Sequence, residues 1–213
     1  MNILILGANG TIARLIEKQI LGDKAFSDVK LTMFLRDKTR VTDLLSEQST
    51  AIEGDTTDFG TLNDAVEDQD IIFDTTGATQ NIESTKNIIK AMQLNGVGRV
   101  VSINDLGIYD EVPGKFGQWN KETLGERLKI GKQSADLYEK ADVNYTILRL
   151  AWLNDHATIK YELTQKGEEF KGTTVSRPSV ANIFLKIIDD PDYLSEKNVG
   201  IDEPGTQGKR PVY

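Results

Sequence analysis

The sequence predicts an α/β fold in which a doubly wound parallel sheet is covered by helices on both faces. Short apolar, β-branched segments alternate along the chain with longer amphipathic segments, in the order βαβαβαβαβαβ. The strand segments are apolar along nearly their whole length, which is typical of strands that are buried on both sides. Because parallel strands need right-handed crossovers, a doubly wound sheet is the expected arrangement. Ligands of such sheets bind beyond the carboxyl ends of the strands.

Each predicted strand is a short run of apolar residues that ends at polar residues or glycine. The six segments are Asn2–Leu6, Val29–Leu35, Thr50–Glu53, Asp70–Asp74, Arg99–Ile103 and Tyr145–Leu150. Between them, apolar residues recur three and four positions apart, as in Ile82 to Met92 and Leu124 to Tyr138, which predicts amphipathic helices.

The pattern loosens after Leu150. A mixed segment runs to about Lys171, followed by a predicted helix over Pro178–Asp189, a short strand near Asn198–Ile201 and a Gly- and Pro-rich tail. No linker or repeat separates this part from the sheet, so we expect one domain over residues 1–213. Residues 151–213 would then contribute a small C-terminal cap and the last strand.

The composition excludes several functional classes. With 33 acidic and 25 basic residues, the net charge of -8 disfavours general binding of nucleic acid. The chain has no cysteine and one histidine, His156, which excludes a disulfide framework, a thiolate nucleophile and a multi-histidine metal site. No apolar run approaches the length of a membrane span and no secretory leader is evident, so a cytoplasmic location is expected.

A glycine-rich turn directly follows the first strand segment. Its sequence, Gly7-Ala-Asn-Gly-Thr-Ile-Ala13, has the spacing GxxGxxA and opens a helical pattern. A strand, a glycine turn and a helix N-terminus form an anion site, because the missing side chains let a diphosphate approach free backbone N–H groups. A plain tight turn is the alternative interpretation. The candidate cofactor-binding residues here are Gly7, Asn9, Gly10, Thr11 and Ile12.

The end of the second strand segment indicates which cofactor is bound. In dinucleotide-binding folds, an acid about 20 residues after the turn accepts hydrogen bonds from the ribose 2′-hydroxyl. Here Arg36 stands 23 residues after Ala13, within a stretch that carries three bases around one acid. An arginine can pair with a 2′-phosphate, which a carboxylate would repel. NADP(H) is therefore favoured over NAD(H); a solvated basic loop, or ribose binding by Asp37, is the alternative.

These motifs resemble the atypical short-chain dehydrogenase/reductase family, in particular its NmrA-like and NAD(P)-binding members, over nearly the whole chain. The resemblance implies a Rossmann fold. The segment Glu53-Gly-Asp-Thr-Thr-Asp58 resembles the family's stretch near the adenine, which implies that Asp55 and Thr56 bind there. The segment Phe73-Asp-Thr-Thr-Gly-Ala78 resembles the loop under the adenine ribose, which implies a role for Thr75, Thr76 and Gly77.

Two later segments extend the resemblance. Tyr145-Thr-Ile-Leu-Arg149 is similar to a family strand, although Leu150 stands where proline is usual. Val175-Ser-Arg-Pro-Ser-Val-Ala181 is similar to the start of a family helix.

The family's catalytic motif is incomplete in this chain. Classical members use Ser, Tyr and Lys, with Tyr-x-x-x-Lys on the helix after the fifth strand, where the tyrosine donates a proton to a carbonyl oxygen. Lys132 matches the lysine, but Leu128 stands at the tyrosine position. Another Tyr-x-x-x-Lys, at Tyr193 to Lys197, follows the last long helix, and we interpret it as chance. The polar candidates at the nicotinamide are Asn104, Asp105 and Tyr109, with loop capping as their alternative role.

Lys132 is also implied to bind the nicotinamide ribose, the alternative being an ordinary solvent-facing lysine. The cap segment, with Trp152, His156, Tyr161 and Phe170, suggests an apolar wall that tolerates aromatic groups.

Two functions fit this pattern. The first is an NADP(H)-binding oxidoreductase that reduces a quinone, flavin or similar conjugated small molecule, because such acceptors take a hydride without a catalytic tyrosine. The alternative is a non-catalytic NADP(H)-sensing regulatory protein of NmrA type, which Leu128 permits equally. A carbonyl reductase or sugar-nucleotide epimerase depends most on the missing tyrosine. We expect a small-molecule substrate, no nucleic-acid or membrane partner, and a monomer or homodimer.

Overall fold

The computed structural model describes residues 1–77 and 81–213. Ala78, which belongs to the segment that resembles the ribose loop, lies outside the described residues. The described strands are β1 Asn2–Leu6, β2 Lys30–Leu35, β3 Ser49–Glu53, β4 Ile71–Asp74, β5 Arg99–Asp105, β6 Asn144–Leu150, β7 Trp152–Asn154, β8 Glu162–Gln165, β9 Thr174–Ser176 and β10 Lys197–Asp202. The helices are α1 Thr11–Gly22, α2 Phe59–Val66, α3 Ile82–Asn95, α4 Gly114–Leu124, α5 Glu126–Lys140 and α6 Arg177–Asp189, with 3₁₀ turns at Lys24–Phe26 and Lys38–Leu44.

The sheet is parallel from β3 through β10. Within the described residues its strand order is β3-β2-β1-β4-β5-β6-β10-β8, and only β8 runs antiparallel to its neighbour. The order reverses beside β1, which pairs with β2 on one side and with β4 on the other, because the chain crosses from β3 back to β4. This arrangement confirms the predicted doubly wound sheet and places a ligand crevice beyond the carboxyl end of β1.

Both faces of the sheet carry a packed core because the side chains of a strand alternate between its two faces. In β1, Ile3 and Ile5 pack with α1 and α6, whereas Leu4 and Leu6 pack with α2, α3 and α5. Side chains on both faces of β1 are therefore buried, which explains why its sequence is apolar without interruption.

The region after Leu150 contains more strand than the sequence predicts. β7 and β9 form a short parallel pair, and β8 adds an antiparallel edge to the main sheet beside β10. These strands are three or four residues long, and β8 is mostly polar, so none has a periodic apolar pattern. Residues 203–213, all of them described, contain neither helix nor strand, as the composition of the tail predicts.

Candidate functional site

A cleft with a volume of about 760 Å³ opens at the carboxyl ends of β1 to β4. Its lining comes from the loops that follow these strands. Of the residues predicted to bind the cofactor, those that line it are Gly7, Asn9, Gly10, Thr11, Arg36, Asp55, Thr56, Thr75, Thr76 and Gly77. The side chain of Ile12 is buried in the core beneath α1, and Lys132 lies on α5. One cleft therefore brings together the three sequence segments that follow β1, β2 and β3 and the loop after β4.

The glycine turn leaves the start of α1 open on the cleft side. Gly7 has a φ of +78°, and a Cβ atom there would lie 3.1 Å from the backbone nitrogen of Thr76, so the turn packs closely on the loop after β4. Gly10 precedes α1 and supplies no side-chain cap, and the first turn of α1 has no acidic residue. The N–H groups of a first helical turn have no partner within the helix. This donor set fits the diphosphate of a dinucleotide.

A buried carboxyl group lies beneath this turn. The backbone N–H of Asn9, at a φ of +68°, donates to Oε1 of Glu17 at 3.2 Å. Glu17 is fully buried on α1, and its Oε2 has no partner among the described residues. Burial raises the pKa of Glu17 to about 7. The sequence analysis missed this residue, although its position between Ile16 and Ile20 on the apolar face of the helix indicates a buried carboxyl group.

Replacing Glu17 by glutamine is expected to remove a pH dependence of stability. The pKa of Glu17 is about 7 in the folded protein and 4.5 without the fold, so the unfolded chain releases its proton first as the pH rises. Stability therefore falls between pH 4.5 and about 7, by about 3 kcal/mol. Glu17→Gln should be more stable than the unmutated protein at pH 8 and nearly equal to it at pH 4.5, as measured by urea unfolding.

The comparison must be made between the two proteins at each pH, because burial also raises the pKa of Asp202 to about 7. That second contribution is the same in both proteins and cancels in the difference. Stability curves that run parallel from pH 4.5 to 8 would contradict the role of Glu17.

Two arginines line the cleft after β2. Arg36 ends at the cleft, and Arg40 lies one 3₁₀ turn further on. With the amide of Asn9 oriented so that its oxygen faces Arg40, Nη2 and Nε of Arg40 donate to it at 3.0 and 3.1 Å. Asp37 instead accepts hydrogen bonds from the backbone and hydroxyl of Thr39, at 3.1 and 2.6 Å, and these bonds lower its pKa. Arg36, Arg40 and Asp37 all line the cleft, and Asp37 at the same time caps the 3₁₀ turn.

The loop after β4 is held from below by Asp74. This buried carboxylate accepts hydrogen bonds from the N–H and hydroxyl of Thr76 at 3.2 and 2.5 Å. Its second oxygen accepts from Ser102 at 2.9 Å and from Tyr138 at 3.3 Å. Burial raises the pKa of Asp74. The network fixes the position of Thr76 at the floor of the cleft.

Asp55 and Thr56 are oriented by local hydrogen bonds. Oδ1 of Asp55 accepts from the backbone and hydroxyl of Thr57, at 2.9 and 2.7 Å, and these bonds lower the pKa of Asp55. The hydroxyl of Thr56 donates to Ser84 on α3 at 2.9 Å. Both residues therefore have defined side-chain positions at the end of the cleft next to β3.

The residues predicted to lie at the nicotinamide form a separate group. Nζ of Lys132 pairs with Oδ2 of Asp136 at 2.6 Å, and the hydroxyl of Tyr109 donates to Oδ1 of the same carboxylate at 3.1 Å. Asp105 pairs with Arg127 at 3.0 Å. The structure thus brings Lys132 and Tyr109 together, but the described lining of the cleft includes neither of them and does not include Asp105.

Two further positions near β5 are structural. Asn104 is buried within β5, and its Nδ2 donates to the carbonyl of Gly131 at 2.9 Å, so it ties the strand to α5. Leu128 packs into the apolar core on the α5 side of the sheet. An apolar residue at this position of the helix is therefore accommodated by the core.

Metal and membrane features were also considered. Among the described residues, no three histidine or acidic side chains are grouped as metal ligands. In the same part of the chain, no helix is both long enough and apolar enough to cross a bilayer.

The known proteins that the chain resembles are NAD(P)-binding proteins. A family model described as NAD(P)H-binding matches residues 7–191. A short-chain dehydrogenase/reductase from Veillonella parvula, solved in complex with NADP, is 29% identical with a TM-score of 0.92, over 100% of this chain and 99% of that chain. A Rossmann-fold NAD(P)-binding family protein from Shigella flexneri is 36% identical with a TM-score of 0.84, over 100% and 98%.

A more distant structure shares the fold. An anaerobillin reductase from Escherichia coli is 20% identical with a TM-score of 0.82, over 98% of this chain and 100% of that chain. No curated protein matches the chain.

Proposed function

The chain belongs to the NAD(P)H-binding family, and we propose on that basis that it is an NADP(H)-dependent oxidoreductase that reduces a quinone, flavin or similar conjugated small molecule. When bound, the cofactor supplies a hydride. The protein's own part is to bind the cofactor along the cleft, to align the acceptor and to exclude water.

The observation that carries the choice of acceptor is the buried Leu128. A simple carbonyl develops negative charge on oxygen as it is reduced and needs a positioned proton donor, which contributes typically ~10²–10⁴-fold to the rate. Leucine has no proton to donate. A conjugated acceptor spreads the charge over its ring system and depends less on such a donor.

The side chains that could replace the missing tyrosine support the same choice. The hydroxyl of Tyr109 donates a hydrogen bond to Asp136, and burial, with the charges of Glu139 and Asp136, raises the pKa of Tyr109, which makes it a weaker acid. Asp105 is engaged with Arg127. Neither is prepared in this state to protonate an acceptor in the cleft.

Reduction assays with a panel of acceptors test this proposal. Stopped-flow oxidation of NADPH should be faster with a quinone or a flavin than with any simple aldehyde or ketone. Faster turnover of an aldehyde, lost in Tyr109→Phe or Asp105→Asn, would show that a replacement acid exists and would overturn the acceptor class. Tight NADPH binding without oxidation by any acceptor would instead favour the cofactor-sensing regulator.

The preference for NADP(H) over NAD(H) is part of the proposal and rests on Arg36 and Arg40. Both residues line the part of the cleft that follows β2, where a 2′-phosphate would lie. The solved relative in complex with NADP supports this choice.

Arg36→Asp is expected to abolish or reverse the preference. Loss of a charge-assisted hydrogen bond to the 2′-phosphate should weaken NADP(H) by about 1.5–3 kcal/mol, with a smaller effect on NAD(H). Calorimetric titration of each protein with both cofactors measures the ratio. Lys38→Asp is the matched control, because it makes the same change of charge two residues away at an exposed side chain outside the cleft lining. Equal affinities for the two cofactors in the unmutated protein would contradict the prediction.

A further inference from the structure

We propose that Arg177 is a second binding residue for the cofactor's diphosphate and that it links the diphosphate to the cap loop, which we define as residues 155–161 between β7 and β8. The inference rests on the proposed NADP(H)-dependent function. It assigns a role to the first residue of α6, which lies in the segment that resembles a family helix start.

Arg177 reaches the start of α1 from the other end of the chain. Its Nε donates to the hydroxyl of Thr11 at 3.2 Å, across a separation of 166 residues. Thr11 is the first residue of α1 and lines the cleft. Arg177 is not itself among the described residues that line the cleft, so its guanidinium group is held beside the cleft, one side chain away from the N–H groups at which a diphosphate would bind.

The guanidinium group has donors available for an anion. It carries five N–H groups in a planar fork, which suits two phosphate oxygens. The contacts described for Arg177 use Nε towards Thr11 and Nη1 towards Oδ1 of Asp155, at 2.7 Å. Arg14, on the same helix as Thr11, is already bound by both oxygens of Asp43, at 2.6 and 3.1 Å.

Stability alone gives little reason for the Arg177 contacts. The side chain of Arg177 is 22% exposed, whereas that of Asp155 is 85% exposed. An ion pair with such an exposed carboxylate contributes little to folding. A guanidinium group drawn inward beside Thr11 is better explained by an anion that arrives there.

The same turn of α6 also holds the cap loop. The hydroxyl of Ser176 donates to the carbonyl of Thr158 at 2.8 Å, and the N–H of Lys160 donates to the hydroxyl of Ser179 at 3.0 Å. Together with the Arg177–Asp155 pair, these bonds fix the cap loop to the start of α6 at three points. A diphosphate that engages Arg177 would therefore also order the cap loop.

The test combines calorimetric binding with hydrogen exchange of the cap loop. Arg177→Met should weaken NADP⁺ and NAD⁺ by the same factor, about tenfold or more, because both cofactors carry the diphosphate. The ratio of the two affinities should stay unchanged, in contrast to Arg36→Asp. In the unmutated protein NADP⁺ should slow amide exchange in residues 155–161, and Asp155→Asn should lose that protection while weakening binding less than Arg177→Met.

Two more variants keep the test decisive. Arg177→Lys retains the charge without the fork and should recover part of the affinity if Arg177→Met folds poorly. Lys171→Met removes an exposed cation that is paired with Glu162 elsewhere in the cap, and it should leave binding and protection unchanged.

Two outcomes would overturn the inference: unchanged affinities in Arg177→Met, or cap-loop protection by NADP⁺ that persists in that variant. A protein that binds NADP⁺ but reduces no acceptor would overturn the proposed reductase and leave this test intact.

Discussion

Replacing Gly10 by valine is expected to abolish NADP(H) binding while the protein stays folded. A Cβ atom at residue 10 would lie 3.1 Å from the carbonyl oxygen of Gly7, and the two branches of valine would project over the first turn of α1. An anion could then no longer reach the N–H groups there. Loss of two charge-assisted hydrogen bonds corresponds to about 100-fold or more in affinity.

The fold should tolerate this change because Gly10 has a φ of -62° and a ψ of 157°, which any residue can adopt, so that only a small shift of the turn away from the carbonyl of Gly7 is needed. Fluorescence titration with NADPH measures the affinity, and circular dichroism verifies the fold. Gly22→Ala, at the far end of the same helix, is the control, since a Cβ atom there meets nothing within 4 Å. Undiminished affinity in Gly10→Val would mean that the glycine turn is only a turn.

Replacing Glu111 by glutamine is expected to cause the largest loss of stability. Arg149 is fully buried on β6 and makes an ion pair with Glu111, and it also donates to Asn198 at 3.0 Å. Glu111 in turn accepts the backbone N–H groups of Gly107 and Tyr109 at 3.0 and 2.8 Å. Without the carboxylate a guanidinium charge would remain buried and unpaired, which costs about 3–5 kcal/mol.

Urea unfolding of Glu111→Gln and Asp110→Asn separates this effect from a general loss of charge. Asp110 is the neighbouring residue, but its ion pair with Lys121 is exposed, so its loss should change stability little. The double variant Glu111→Leu, Arg149→Met should recover part of the loss because it leaves no buried charge. Equal stability of the two single variants would refute the assignment.

The strands that carry the site were predictable because a strand that is buried on both faces is a continuous run of apolar residues. Asn2–Leu6 is predicted and found with the same bounds, and the next five strands differ by one or two residues at their ends. β8 has no such apolar run. It is an edge strand that pairs with β10 through the backbone, so polar side chains at Glu162 and Gln165 are compatible with it.

The residues of the cleft were easier to predict from the sequence than the residues around it. The glycine turn and Arg36 can each be recognised from a short stretch of sequence, and the structure places both on one cleft. The partners of Lys132 and Asp105 are set by side-chain geometry. Asp136 stands four residues after Lys132 on the same helix, a spacing that favours an ion pair and could have been noticed. Their catalytic role stays a prediction.

The ion pair of Arg149 with Glu111 could not be predicted from the sequence. The pair lies 38 residues apart, and a charged residue inside an apolar strand gives no indication of its partner. Only the assembled sheet shows that the loop after β5 folds back over β6 to supply the carboxylate.

The contact between the first and last helices bears on how the chain acquires its shape during synthesis. The apolar face of α1, with Ile16 and Ile20, belongs to the same core as Phe184 and Ile187 of α6. A nascent chain that has emerged only as far as β6 therefore exposes the back of its first helix on the ribosome. Contacts of such high sequence separation form late and slow folding, so the cofactor turn becomes rigid only after α6 has been synthesised.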